Sequence, residues 1–333
     1  MTDTQWDPGR LLELSGSYWK TCALHAAVAL DVFSALDPDR RGAEDLAEKC
    51  GCNSGALTRL LNALTAMGLL TKDGDTYGAT SSARVFLSRH SDRYIGHIIM
   101  HHHHLMPSWA ELDQAVKTGR PVRERASHGD EQQRASFLMG MFNMAMATAP
   151  RVVPLVDLGG RRHLLDLGGG PGTYAIQFCR AYPELKATLF DLPTTRPFAE
   201  KTIARFNLSD RITFSGGNYL EDDLGSGYDV AWLSQILHGE GPVECQKLID
   251  KAVASLVAGG LIIIHEFILD NDMAGPLFPT LFSLNMLVGT PAGQSYSQAQ
   301  ITKMLAQAGA ENIQHISFDS PNDSGLIVGT AQR

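Results

Sequence analysis

The chain has 333 residues, 44% of them hydrophobic and 19% charged, which suits about two domains with sizeable cores and excludes a disordered polymer. Its formal net charge is −8, opposite in sign to the basic surface with which duplex-binding proteins neutralise phosphates, so nucleic acid is not expected as the main partner. No apolar run reaches the ~20 residues of a membrane span, and residues 1–10 are polar with no signal-peptide stretch, so a cytoplasmic protein with no membrane partner is expected.

Three regions differ in pattern: residues 1–92, 93–150 and 151–333. In the first, Leu11, Leu12, Leu14, Tyr18, Cys22, Leu24 and Val28 recur at helical spacing. Glu44 to Cys50 reads as a short helix, and Asn53 or Ser54 can cap the next one, whose apolar face is Leu57, Leu60, Leu61 and Leu64. Gly68 closes that helix. Leu69-Leu70-Thr71, Asp73-Gly74 and Thr76-Tyr77 then read as strand, turn and strand. The result is similar to a winged helix-turn-helix. Its second helix offers Arg59 as its only cation, too little for a recognition helix that must reach bases and phosphates. A dimerisation or scaffolding role is expected instead.

The five cysteines (Cys22, Cys50, Cys52, Cys179, Cys245) are odd in number, and Cys50-Gly-Cys52 lacks the two-residue spacer of zinc and redox pairs. They read as reduced thiols. Residues 93–150 are helical in pattern and rich in His and Met. The run His101 to His104 lies inside the chain, and four consecutive helical residues point in four directions, so they cannot all face one metal. No metal site is expected; one or two of these histidines line a cavity. Met139, Met141, Met144 and Met146, with Phe137 and Phe142, fit either an adaptable apolar pocket or ordinary helix core.

Beyond Arg151 the period changes. Short apolar runs at 163–167, 186–190, 212–215, 229–233, 261–266, 313–318 and 326–330 alternate with helical stretches such as 173–182 and 243–257. That alternation predicts an α/β, Rossmann-like, mainly parallel sheet with helices on both faces, the last two strands forming an antiparallel edge. The first strand leads into Asp166-Leu-Gly168-Gly-Gly170-Pro-Gly172-Thr173, a glycine turn that lets backbone approach a ligand closely. Asp191 ends the next strand, where a carboxylate can hold both ribose hydroxyls of an adenosine. A dinucleotide loop wants a third glycine where Thr173 stands. Asp166 is also foreign to such loops; its carboxylate suits the amino group of a methionine moiety. S-adenosyl-L-methionine is therefore the expected cofactor.

These motifs, in order, resemble the caffeate/hydroxyindole-type O-methyltransferases, a family of plant phenolic methyltransferases, acetylserotonin methyltransferase and bacterial antibiotic-tailoring enzymes. The matching residues are Asp166 to Gly172, Asp191-Leu192-Pro193, Gly217-Asn218-Tyr219, Leu237-His238, and Ile262-Ile263-Ile264-His265-Glu266. The resemblance implies an S-adenosylmethionine-dependent methyltransferase acting on a small aromatic or secondary-metabolite acceptor, most simply at a hydroxyl, and a homodimer joined through the N-terminal region. It implies cofactor contacts from Asp166, Gly168, Gly170, Asp191, Leu192, Asn218, Tyr219 and Ser234. Asn218-Tyr219 stands where the family has Asp-Phe, and Ser234 where plant members often have lysine.

By the same resemblance His238 is the general base and Glu266 a carboxylate that positions it. A phenol, with a pKa of about 10, needs deprotonation, and an imidazole near 6.5 can take the proton at neutral pH. His104, Phe142, Met146, Met286 and Thr290 fall at acceptor-pocket positions, with core packing as the alternative. Two departures stand out. The family's His-Asp-Trp reads His238-Gly239-Glu240, and its second positioning carboxylate is replaced by Ser295. They keep open a C- or N-methyltransferase of a larger, tetrapyrrole-like acceptor, and a non-catalytic winged-helix regulator that senses a metabolite.

Overall fold

The computed structural model describes residues 6–124, 131–320 and 322–332. Of the segments anticipated above, residues 1–5, 125–130, 321 and 333 lie outside the described residues. The chain divides into two compact units, Met1–Leu105 and Met106–Arg333.

In the first unit α1 (Pro8–Gly16) and α2 (Tyr18–Ala29) are followed by α3 (Val32–Ala35), β1 (Arg41–Gly42), α4 (Ala43–Cys50), α5 (Ser54–Ala66), β2 (Leu70–Asp73), β3 (Thr76–Ala79) and α6 (Ser81–Leu87). Asn53 caps α5 by accepting from the Ala56 N–H at 2.9 Å, which satisfies one of the donors that a helix start leaves open. Leu57, Leu61 and Leu64 then point inward at spacings of four and three, with Leu60 partly buried beside them. They meet Val28, Phe33, Leu46 and Tyr77 in one core. The wing is a three-stranded sheet in the order β1-β3-β2; the two-residue β1 was too short to leave a period in the sequence. By contrast α1 buries none of its residues. Leu12 is 73% exposed and Trp19 70% exposed, with Leu11, Leu14 and Tyr18 alongside.

The division between units falls within α7 (Gly96–Ala110), which carries the histidine run. His101 is buried, His104 half-buried, and His102 and His103 exposed. The His103 ring stands edge-on to the buried His25 at 5.6 Å. Among the described residues no group of three or more His, Cys, Asp or Glu is arranged to hold a metal ion, and no helix is long and apolar enough to cross a membrane.

The second unit continues with α8 (Leu112–Thr118) and α9 (Glu131–Val152). The alternation then runs β4 (His163–Leu167), α10 (Thr173–Ala181), β5 (Lys186–Asp191), α11 (Arg196–Arg205), β6 (Ile212–Gly216), β7 (Tyr228–Ser234), α12 (Pro242–Ala254) and β8 (Leu256–Leu269). After these come α13 (Leu277–Gly289), β9 (Tyr296–Ser297), α14 (Gln298–Gln307), β10 (Ala310–Ser317) and β11 (Ser324–Ala331). Strand order is β10-β11-β8-β7-β4-β5-β6, with β9 attached to β8. The pairs from β8 to β6 are parallel, and β11 is antiparallel to both β8 and β10.

Alternation along each strand divides the core between the two faces. Leu164, Trp232 and Ile263 face one layer of helices, and Leu165, Leu233 and Ile264 the other. Because both faces are covered, the parallel strands read as continuous apolar runs rather than alternating ones. Strand order reverses between β4 and β7, and such a reversal opens a crevice at the carboxyl ends of the strands. Leu164 is fully buried at the centre of the first layer. Leu164→Ala is expected to lower the unfolding free energy of this unit by about 2–5 kcal/mol, the cost of a core cavity, read from urea denaturation.

Candidate active site

The turns after β4 and β7 meet at that crevice. Gly168 has φ of +65°, and a Cβ there would lie 2.7 Å from Ile236 Cγ2. Only glycine fits both the left-handed backbone and the close approach. The Gly168 N–H donates to Phe190 O at 2.8 Å, and Gly170, also at positive φ, donates its N–H to Asp191 Oδ2 at 2.8 Å. Asp191 Oδ1 accepts from the Leu192 N–H at 2.7 Å and the Thr195 hydroxyl at 2.8 Å. The carboxylate at the tip of β5 thus holds the glycine turn in place. Burial raises its pKa despite these three donors.

Asp166 lies beneath the turn and is fully buried. Its Oδ2 accepts from the Ala175 N–H at 3.0 Å, at the start of α10. Its Oδ1 has no hydrogen-bond partner, and Gly169 covers it so closely that a Cβ at 169 would lie 2.5 Å from its Cγ. Burial raises this carboxyl to about 7. An unsatisfied carboxylate oxygen under a glycine turn, beside a second carboxylate at the next strand tip, fits a ligand that joins an ammonium to a ribose.

The remaining cofactor positions are engaged locally. Asn218 Oδ1 accepts from the Leu220 N–H at 3.0 Å, forming a side-chain turn after β6. The Tyr219 hydroxyl donates to Glu240 Oε1 at 2.9 Å, so Glu240 tethers the loop that carries Tyr219. Ser234 Oγ lies 2.9 Å from His265 Nδ1, which the Tyr174 hydroxyl approaches at 3.3 Å. Burial lowers His265 to about 4, so the ring is neutral. Nδ1 is thus the ring nitrogen that shares a hydrogen bond with these hydroxyls, while Nε2 is buried without a partner.

His238 sits in a short turn, Leu237–Gly239, after β7. Its Nδ1 is 2.8 Å from Glu266 Oε2 on β8, and Glu266 Oε1 accepts from the Leu237 N–H at 2.9 Å. One carboxylate therefore fixes both the imidazole and the backbone beside it. The ring is stacked on Phe267 at 5.9 Å and meets the Phe282 ring edge-on at 4.7 Å. Ser295 does not replace the family's second carboxylate at the imidazole. Its hydroxyl donates to Pro279 O at 2.8 Å, and its N–H to Ser283 Oγ at 3.3 Å.

The suggested acceptor-pocket residues are less closely gathered. Met286 is buried on α13, the helix that carries Phe282. Thr290 spends its hydroxyl on the end of that helix, donating to Met286 O and accepting from the Gly293 N–H, both at 2.8 Å. Phe142 packs near Phe206 at 6.5 Å, and Met146 Sδ accepts from Gln177 Nε2 at 3.3 Å. His104 belongs to the first unit. Sequence reasoning passed over Tyr174, Phe267, Phe282 and the inward role of His265. The last was within reach, because strand alternation sends His265 and Glu266 to opposite faces.

A reversed strand order with an added antiparallel strand, a glycine turn clasped by an acidic strand tip and an imidazole–carboxylate pair define a Rossmann-like methyltransferase. Comparison with known proteins carries this further. Residues 109–311 match the O-methyltransferase domain family and residues 12–89 its dimerisation domain. The 3-hydroxy-5-methyl-1-naphthoate 3-O-methyltransferase of Streptomyces sahachiroi is 32% identical over 328 residues, 97% of this chain and 95% of the relative. Among solved structures, PigF with SAH superposes with a TM-score of 0.88 at 27% identity, covering 98% of this chain and 100% of the other. Human N-acetylserotonin methyltransferase in complex with SAM gives 0.88 at 25% identity, covering 100% of both chains.

The chain belongs to the O-methyltransferase family that includes the acetylserotonin O-methyltransferases, and it is an S-adenosylmethionine-dependent methyltransferase with a dimerisation domain. The regulator and the tetrapyrrole-directed C- or N-methyltransferase are not favoured beside it.

The buried Asp166 gives a stability test. Its folded value lies above the ~3.9 of an unfolded aspartate, so its contribution is complete below about pH 4 and is lost as pH rises through 7. In cofactor-free protein, Asp166→Asn is expected to remove that decline. Above pH 7 it should exceed wild type by up to about 4 kcal/mol in urea unfolding. Parallel stability curves for the two proteins from pH 4 to 8 would contradict the buried-carboxylate account.

Proposed function

We propose that the enzyme methylates a hydroxyl of a small aromatic acceptor, with His238 as general base and Glu266 as its positioning residue. The single observation that carries this is the 2.8 Å contact of His238 Nδ1 with Glu266 Oε2. With its proton on Nδ1 facing the carboxylate, the ring keeps Nε2 as the free acceptor. A phenolic O–H donates its proton to Nε2, and the imidazolium that results is stabilised by Glu266. Phe267 and Phe282 wall the imidazole with apolar surface, which suits a flat ring. Relatives named for a hydroxynaphthoate and for acetylserotonin, both aromatic, support this acceptor class.

S-adenosylmethionine, when bound, supplies an electrophilic methyl group on a sulfonium. Asp191 is the residue to hold its ribose, and Gly168 and Gly170 supply close-lying backbone. Asp166 sets the turn from below and offers Oδ1 to the ammonium. Leu192, Asn218, Tyr219 and Ser234 complete the cofactor side, with Ser234 oriented by His265. Met286 lies along the acceptor side, and Phe142, Met146 and Thr290 are the further acceptor-pocket positions that the family resemblance implies.

The protein acts as a homodimer in this reading. Its interface includes the exposed Leu11, Leu12, Leu14, Tyr18 and Trp19 of α1 and α2, within the dimerisation domain. A reducing compartment, the cytoplasm, suits its five free thiols.

His238→Ala should reduce kcat by about 100- to 10,000-fold at neutral pH, the usual range for losing a general base. Activity should recover as pH approaches the phenol's own pKa of about 10. A small loss that does not change with pH, in steady-state assays on a naphthol, would remove His238 from this role. In sedimentation, wild type should run as a dimer and Leu12→Glu combined with Trp19→Glu as a monomer; a monomeric wild type would end the homodimer reading.

A further inference from the structure

Two turns along α13 from the ring that meets His238, the protein holds a cation that methyl transfer does not use. Phe282, Met286 and Gly289 follow at spacings of four and three residues and so share one face of the helix. Phe282 stands edge-on to the imidazole, and Met286 and Gly289 are buried. Asn285, beside them, accepts from Trp109 Nε1 at 3.1 Å, which brings another aromatic ring to this helix.

Arg123 docks at the Gly289 end. Its N–H and that of Val122 both donate to Val288 O, at 3.2 and 3.0 Å. The guanidinium takes the space a side chain at 289 would need: a Cβ there would lie 2.4 Å from both Cζ and Nη2. Gly289 is thus the gap into which the arginine fits.

Among the described residues the charge has no counterpart. Nη1 donates to the Glu124 carbonyl at 3.0 Å, and Nε is buried with no partner. Among the described residues no carboxylate pairs with it, and no α13 carbonyl accepts from its side chain, so it is not a helix cap. Burial alone lowers its pKa, with no acid nearby to offset the desolvation. A partly desolvated guanidinium with open donors is a preformed fork for a planar oxyanion.

We propose that Arg123 binds a carboxylate on the acceptor, at the end remote from the hydroxyl that His238 deprotonates, and so selects hydroxy-aryl acids over neutral phenols. The inference rests on the reading of His238 as the base for a phenolic acceptor. From Phe282 to Gly289 the helix rises about 10 Å, a span that suits a two-ring acceptor substituted at both ends.

The test compares 6-hydroxy-2-naphthoate with 2-naphthol, each titrated by calorimetry into full-length protein loaded with S-adenosylhomocysteine. The acid should bind about 30-fold more tightly than the naphthol, the range of a hydrogen bond to a charged group. Arg123→Gln should abolish that advantage with naphthol affinity unchanged, and Arg123→Lys should keep part of it. Equal affinities in wild type, or an acid preference that persists in Arg123→Gln, would overturn the assignment. Loss of both ligands in both variants would mark the residue as structural and overturn it too. Turnover is scored separately: wild type that binds both compounds but methylates neither would defeat the phenol-methylation reading while leaving the binding result for Arg123 intact.

Discussion

Glu266 is the constraint on which the catalytic half of this molecule turns. A carboxylate that is almost fully buried must have its oxygens satisfied, and here the two oxygens are satisfied by different parts of one turn, the Leu237 N–H and the His238 imidazole. The strand carrying it is central, paired in parallel with β7 on one side and antiparallel with β11 on the other. The imidazole is therefore held by a strand paired on both sides rather than by its own short turn alone. The same turn contributes Ile236, which presses on Gly168, so the acceptor side and the cofactor side share one packed contact.

A second theme is how buried charge is handled around the crevice. Among the described residues, Asp191 has three donors, Asp166 one donor and one vacant oxygen, and Arg123 one side-chain donor bond and no acid. A core without ligands would gain stability by replacing such groups with apolar ones. In the function proposed above, their positions at the loop, the strand tip and the far end of α13 are where polar parts of bound molecules complete the protein's own hydrogen bonding. His265 contrasts with them. Its pKa is low enough for it to stay neutral, and it serves two hydroxyls from the opposite face of the sheet.

Most of the catalytic fold was legible in the sequence because parallel strands buried on both faces leave unbroken apolar runs, and β4 begins and ends where that run does. Boundaries failed where the pattern is not hydrophobic: β8 extends back to Leu256 through glycines, and β10 begins at Ala310 among polar residues. The candidates Asp191, His238 and Glu266 were legible because each stands at a fixed place relative to a strand, the tip of β5, the turn after β7 and the interior of β8. The aromatic walls were not. Phe282 meets His238 from α13, whose uniformly apolar sequence gives no phase, and Arg123 packs against Gly289 of the same helix; only three-dimensional packing shows which face of that helix looks toward His238. Thr290, a position suggested by alignment, has its hydroxyl engaged at the helix end.

The neighbours His265 and Glu266 carry a consequence for how this strand can vary. They differ by one step in sequence yet occupy two insulated compartments, one aromatic with Trp232 and Tyr174, the other holding the imidazole turn. Inserting or deleting a single residue upstream in β8 would exchange them. With one residue deleted, the acid would take His265's place among the indole and phenol rings, and Phe267 would take the acid's place beside the His238 turn. Chemical identity at this centre is thus written in the parity of a strand, which a one-residue change of length in β8 preserves only if a bulge absorbs it.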